Sequence, residues 1–148
     1  EFMQLEIQCE KCNARFAVIG SAYFCPACGH NSVTQTFSDS LRKIKAKKDG
    51  IDVVRKALIE SIGKDEAELT CRSLRETCIS DGIVAFQKYC EGMYEDFGKI
   101  PFNAFQRLEQ GSQLWIIAVQ KGYNDWISDE ELKKLNILYQ KRHLLSHN

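Results

Sequence analysis

The sequence has only two prolines among 148 residues, no low-complexity stretch and no internal repeat. Hydrophobic residues make up 44% and charged residues 27%, a globular composition that excludes a disordered tail or a collagen-like chain. Net charge is missing too. Twenty basic and twenty acidic side chains cancel to +0, so the molecule as a whole is no electrostatic sponge for nucleic acid or anionic membrane, and such contacts must come from a local patch. No apolar run approaches the roughly 18 residues that span a bilayer, and the N-terminus lacks the basic-then-apolar layout of a signal peptide. These absences point to a reducing, cytoplasmic setting with no membrane partner. Glu1 and Phe2, ahead of Met3, read as cloning remnants without meaning for the fold.

Cysteine is the residue in excess. Seven occur, an odd count that cannot all pair within one chain, and four form two tight doublets, Cys9/Cys12 and Cys25/Cys28. That pattern points to metal before disulfides. Cys9-x2-Cys12, followed after twelve residues by Cys25-x2-Cys28, supplies four soft thiolates from two loops, the arrangement that encloses tetrahedral Zn²⁺. Pro26 stiffens the second loop and Gly29 relieves crowding after its last ligand. The segment resembles a zinc ribbon, with one structural zinc per chain and no open position for substrate. A two-electron disulfide switch is the minor alternative, and His30 reads as a surface residue. Cys71, Cys78 and Cys90 read as small apolar core residues.

Residues 3–37 alternate short extended pieces and turns: Leu5 and Ile7, then Ala17, Val18 and Ile19 before Gly20, then Val33 and Phe37. Helix signals take over afterwards, so a boundary near 37–40 divides a small β module, 3–37, from an all-α bundle, 38–148. Ser38 or Asp39 can cap a basic helix that Asp49-Gly50 ends, and a second helix covers 52–62 before Gly63. Ala67, Cys71, Leu74 and Cys78 form an apolar stripe that resumes as Ile83, Phe86, Cys90, Met93 and Phe97. That stripe is either two helices or one that tolerates Gly82. Asn103 can cap the next helix, with Phe105, Leu108, Trp115 and Val119 inward. Residues 122–125 form a turn. Ser128 and Glu131 make a capping box for a last helix whose inner face carries Leu132, Leu135, Leu138, Tyr139 and Leu145.

Two segments carry candidate chemistry. Residues 38–56 hold seven basic and three acidic groups, a local +4. In that run Arg42, Lys43, Lys45, Lys47 and Lys48 could track a phosphate backbone, or simply form a solvated helix face. The C-terminal segment brings Arg142, His143 and His147 within six residues. Imidazole titrates near neutrality and moves protons, while a guanidinium matches phosphate with paired donors. Together they suit metal-independent RNA cleavage.

Arg142-His143-Leu144-Leu145-Ser146-His147 resembles the Arg-polar-x3-His motif of the HEPN superfamily, helical domains that include ribonucleases of toxin and defence systems. The phrase RHLLSHN looks like that family's RHxxxHN variant, and Phe105 to Leu108 and Gly111 to Trp115 look similar as well, so the resemblance covers roughly 40–148. It implies a two-fold homodimer whose paired Arg and His line one cleft, an RNA substrate, and an inhibitory or regulatory protein partner. In that scheme the catalytic residues are His147 as general acid/base, Arg142 as phosphate clamp and His143 as the orienting polar residue. Such domains continue beyond the motif, so Asn148 reads as a fragment boundary. On a straight helix Arg142 and His147 stand about 140° apart, whereas His143 and His147 share a face. A local break or a dimer partner must therefore bring the pair together. Other readings of the cluster are a histidine pair on a metal and an ordinary basic helix end. The competing reading for the whole chain is a non-catalytic module, in which ribbon and basic run grip nucleic acid or protein and the helices serve as a dimerisation scaffold.

Overall fold

The computed structural model describes residues 4–19 and 23–147. Glu1, Phe2, Met3, Gly20 and Asn148, to which the sequence reading gave roles, lie outside the described residues. Strands β1 (Gln4–Gln8) and β2 (Arg15–Ile19) pair antiparallel, with Ile7 opposite Phe16 and Gln8 opposite Arg15. Phe24 bridges Asn31 in the second half of the module. Among the described residues Ile7, Val18 and Tyr23, with Phe16 against them, make a small core here. A two-stranded sheet on so small a core is marginal by itself, so the cysteine loops must carry much of its order.

Helix α1 spans Val33–Ile62 and α2 spans Lys64–Tyr94, joined by Gly63 at φ 96. A positive φ is open to glycine without strain and folds the two into an antiparallel hairpin. Two sequence expectations change here, and one open alternative is resolved. First, the helical part starts at Val33 rather than near 38, and Val33 and Phe37 are helical rather than extended. The cap is Ser32, whose Oγ accepts from Gln35 N at 3.2 Å and donates to Glu10 Oε1 at 3.3 Å. The ribbon itself therefore supplies the helix start, a long-range partner that local spacing does not reveal.

Second, Asp49-Gly50 does not stop α1. Gly50 costs a helix about 1 kcal/mol relative to alanine, but the next residue, Ile51, is buried against α2, and full burial of such a side chain is worth about 1.5–3 kcal/mol. Burial wins, and the helix continues. Of the two alternatives for the stripe around Gly82, the single helix forms. Cys71 and Cys90 are buried and Cys78 is half-buried, and the thiols of Cys71 and Cys78 lie 3.8 and 3.9 Å from the Ile51 and Ile44 carbonyl oxygens of α1.

The remaining elements wrap the C-terminal third of α2: a 3-10 turn at Ala104–Gln106, α3 (Leu108–Val119), α4 (Tyr123–Trp126) and α5 (Asp129–Ser146). Asn103 does not cap α3. It sits left-handed at φ 58 before the 3-10 turn, while the segment read as a turn at 122–125 is mostly the single-turn α4. The core is Cys90, Tyr94, Phe105, Trp115 and Tyr123. Gly111 makes this packing possible, because a Cβ there would lie 2.7 Å from Tyr123 Oη and 3.0 Å from Phe105 Cδ1. The Ser128–Glu131 capping box forms as expected and opens α5. Among the described residues no helix is long and apolar enough to cross a membrane.

Candidate metal centre and anion cleft

The four doublet cysteines converge. Their sulfurs all lie within 4.8 Å of one another, with Cys9 and Cys28 at 3.7 Å and Cys12 and Cys25 at 3.6 Å. A tetrahedron with bonds of about 2.3 Å has sulfur edges of about 3.8 Å, so the set fits a four-coordinate ion and is compatible with a zinc ribbon. All seven cysteines are free thiols.

Each loop is built on the same backbone frame. Cys9 N donates to Ala14 O and Asn13 N to Cys9 O; correspondingly, Cys25 N donates to His30 O and Gly29 N to Cys25 O. Asn13 and Gly29 occupy the same left-handed position, at φ 59 and φ 73. Cys9, Cys12, Asn13 and Ala14 thus recur sixteen residues later as Cys25, Cys28, Gly29 and His30, a duplication that residue identity hides. His30 contributes its carbonyl to this frame and lies outside the sulfur cluster, as a half-buried residue. Backbone amides, led by that of Cys12, draw the Cys9 thiol down to about 6, toward the thiolate that a metal requires.

The basic run is partly offset where it stands, five cations sharing three carboxylates. Asp39, buried in the first turns of α1, pairs with Arg42 at 3.0 Å and Lys43 at 2.8 Å. Lys43 holds the Asp39 carboxyl below its ordinary value against the opposing cost of burial, helped by the Tyr23 hydroxyl. Burial and the Asp39 charge in turn raise the Tyr23 hydroxyl. Lys45 and Lys48 pair with Asp49, and Lys47 pairs with Asp81 of α2 at 2.9 Å. Every cation proposed for nucleic-acid contact therefore already has a carboxylate within 4.0 Å.

The C-terminal cluster is arranged differently. A cleft of about 600 Å³ opens between the 102–107 segment and the end of α5, and Arg107, Arg142, His143 and His147 all line it. Helix α5 ends at Ser146; His147 leaves it at φ −114, ψ 4, with its N–H turned back to Leu144 O. This local break brings His147 and Arg142 to one cleft within a single chain. His143 and His147 meet edge to face with ring centres 4.4 Å apart. Beneath them the buried Tyr139 hydroxyl donates to Phe105 O at 3.3 Å, and burial keeps it protonated by raising it well above an ordinary phenol. That bond fixes the register of α5 against the 3-10 turn.

Among the described residues no carboxylate lines the cleft, and neither Arg107 nor Arg142 forms an ion pair. The sequence reading found Arg142, His143 and His147. It assigned no role to Arg107, which lies 35 residues upstream of Arg142 and whose contribution becomes visible only when the 3-10 turn folds against α5. No protein-family model, curated protein or solved structure matches this chain. The HEPN resemblance thus rests on the motif residues themselves.

Proposed function

We propose that the chain is a metal-independent endoribonuclease of HEPN type, in a bacterial defence or toxin setting, carried on a structural zinc ribbon. One observation carries this reading: two arginines without carboxylate partners and two imidazoles line a single cleft. Two guanidinium groups without carboxylate partners, set beside proton-transfer groups, suit an anion that also needs acid–base chemistry. A phosphodiester of RNA has both properties. Its 2′-hydroxyl loses a proton to one imidazole and attacks phosphorus, the P–O5′ bond breaks, and the departing oxygen takes a proton from the other imidazole or its counterpart in a second copy. The products are a 2′,3′-cyclic phosphate and a 5′-hydroxyl. Arg142 and Arg107 offset the charge that gathers on the phosphoryl oxygens. The cysteine cage would hold zinc with all four positions filled by sulfur, giving it a structural part only.

The test is cleavage of single-stranded RNA in EDTA under conditions that leave the ribbon loaded. His147→Ala is expected to abolish product while keeping helical circular dichroism, and Arg142→Ala to lower the rate by about a hundredfold or more. Full activity in the His147 variant would refute the assignment. Sedimentation of the intact chain tests the homodimer that the resemblance implies, and metal analysis is expected to find about one zinc per chain.

A further inference from the structure

Phe102 is 93% exposed, more than any other large apolar side chain among the described residues, while Phe105, three positions on, is 1% exposed. The turn between them is firmly tied. Ala104 N donates to Pro101 O, Gln106 N to Asn103 O, and the Gln106 amide to Asn103 Oδ1 at 2.8 Å, with Asn103 locked left-handed at φ 58. Phe105 anchors this turn in the core, and the turn holds Phe102 out over the cleft that Arg107, Arg142 and His147 line. An aromatic face beside unpaired guanidinium groups has the two features a nucleotide recognises, a surface for the base and cations for its phosphate.

We propose that Phe102 is a base-stacking platform at the mouth of this cleft, selecting a purine at the nucleotide whose phosphate the arginines hold. The inference rests on the RNA reading of the cleft and adds a specificity-determining residue to it. A purine presents two fused rings to the phenyl face where a pyrimidine presents one, and stacking strength of this kind produces modest base preference without edge-reading hydrogen bonds. Gln106 Nε2 is engaged by Asn103 Oδ1, and the exposed ring face of Phe102 provides the stacking surface.

The experiment measures binding of short single-stranded 2′-deoxy-oligoadenylate and 2′-deoxy-oligouridylate probes, which lack the nucleophilic hydroxyl and stay intact. Wild-type protein is expected to favour adenine. Phe102→Ala is expected to weaken adenine binding about tenfold and to bring the two affinities together, and Phe102→Trp to restore the preference. Because Phe102 is exposed, its loss removes no core packing. An unchanged adenine-to-uracil ratio in the alanine variant overturns the proposal, as does a variant that loses only its oligomeric state while keeping the ratio. Arg142→Ala separates the two levels. If it weakens both probes while Phe102→Ala alters neither, the phosphate cleft stands and the platform falls. If Phe102→Ala removes the preference but His147→Ala leaves RNA cleavage intact, the platform stands and the nuclease reading falls. Wild-type protein that binds neither probe overturns both.

Discussion

At the scale of single residues, the same side-chain type has opposite fates, decided by what stands within reach. Arg42 is held by Asp39 at 3.0 Å; Arg142 has no carboxylate in its cleft. Replacing Arg107 by alanine is expected to lower RNA cleavage by about a hundredfold with little change in stability, since it removes one of two charges that act on the developing oxyanion. Gly111→Ala has the opposite profile. Its new methyl would meet Tyr123 and Phe105, and overpacking of this sort costs about 1–3 kcal/mol, read as a lower urea midpoint. Asp39→Asn removes the carboxylate that Arg42 and Lys43 pair with at 3.0 and 2.8 Å, and is expected to lower stability by up to about 1 kcal/mol. The sign of its pH dependence follows from the direction of the shift. The folded carboxyl titrates below its ordinary value of 3.8, so its contribution is fully present above that value and fades as pH falls through the lower folded value. Wild-type and Asp39→Asn melting curves are therefore expected to converge in strong acid and to separate toward neutrality.

Among elements, length was the property least legible in sequence. Asp49-Gly50 carries every local sign of a helix end, yet α1 runs on because Ile51 is buried against α2, and that partner is remote in sequence. Neither Gly50 nor Gly82 has any atom within 4 Å of where a Cβ would stand. Alanine at either site is expected to raise stability by up to about 1 kcal/mol, a shift of about 2–8 °C in Tm. Gly92 differs, since its Cβ would lie 2.6 Å from Val33 Cγ2; alanine there is expected to push the start of α1 away from α2. Where local chemistry suffices, sequence and structure agree. The Ser128–Glu131 box needs no distant partner, and the apolar stripe through Cys71, Cys78 and Cys90 places those thiols on the inward face of α2. The doublet spacing of the other four cysteines was enough to bring their sulfurs together. Arg107 was beyond such reasoning because its place depends on a 3-10 turn anchored by a buried aromatic.

The whole molecule carries two separate apolar clusters of unequal size. The helical part has its own aromatic core, whereas among the described residues the cysteine module clusters just Ile7, Val18 and Tyr23, beside the buried ligands Cys9 and Cys25. Removing metal with a strong chelator is expected to unfold the ribbon while most of the helical circular dichroism persists, because for such small modules metal affinity is folding free energy. Loss of the whole helical signal on chelation would show instead that the helices depend on the ribbon. The neutral total charge averages over a basic run whose five cations share three carboxylates and a cleft lined by two arginines and two histidines. Raising salt is accordingly expected to weaken oligonucleotide binding, and Arg142→Ala to flatten that dependence more than Lys47→Ala does.

The sixteen-residue recurrence in the ribbon makes its two cysteine loops interchangeable parts, like opposed jaws cast from one mould. A jaw is defined by its backbone frame and two sulfurs, so the residue at the left-handed corner is free to vary only among types that tolerate that corner. Asn13→Gly is therefore expected to be accepted without loss of metal, whereas a β-branched residue at Gly29 would spring its jaw open and release the ion from the opposite side as well.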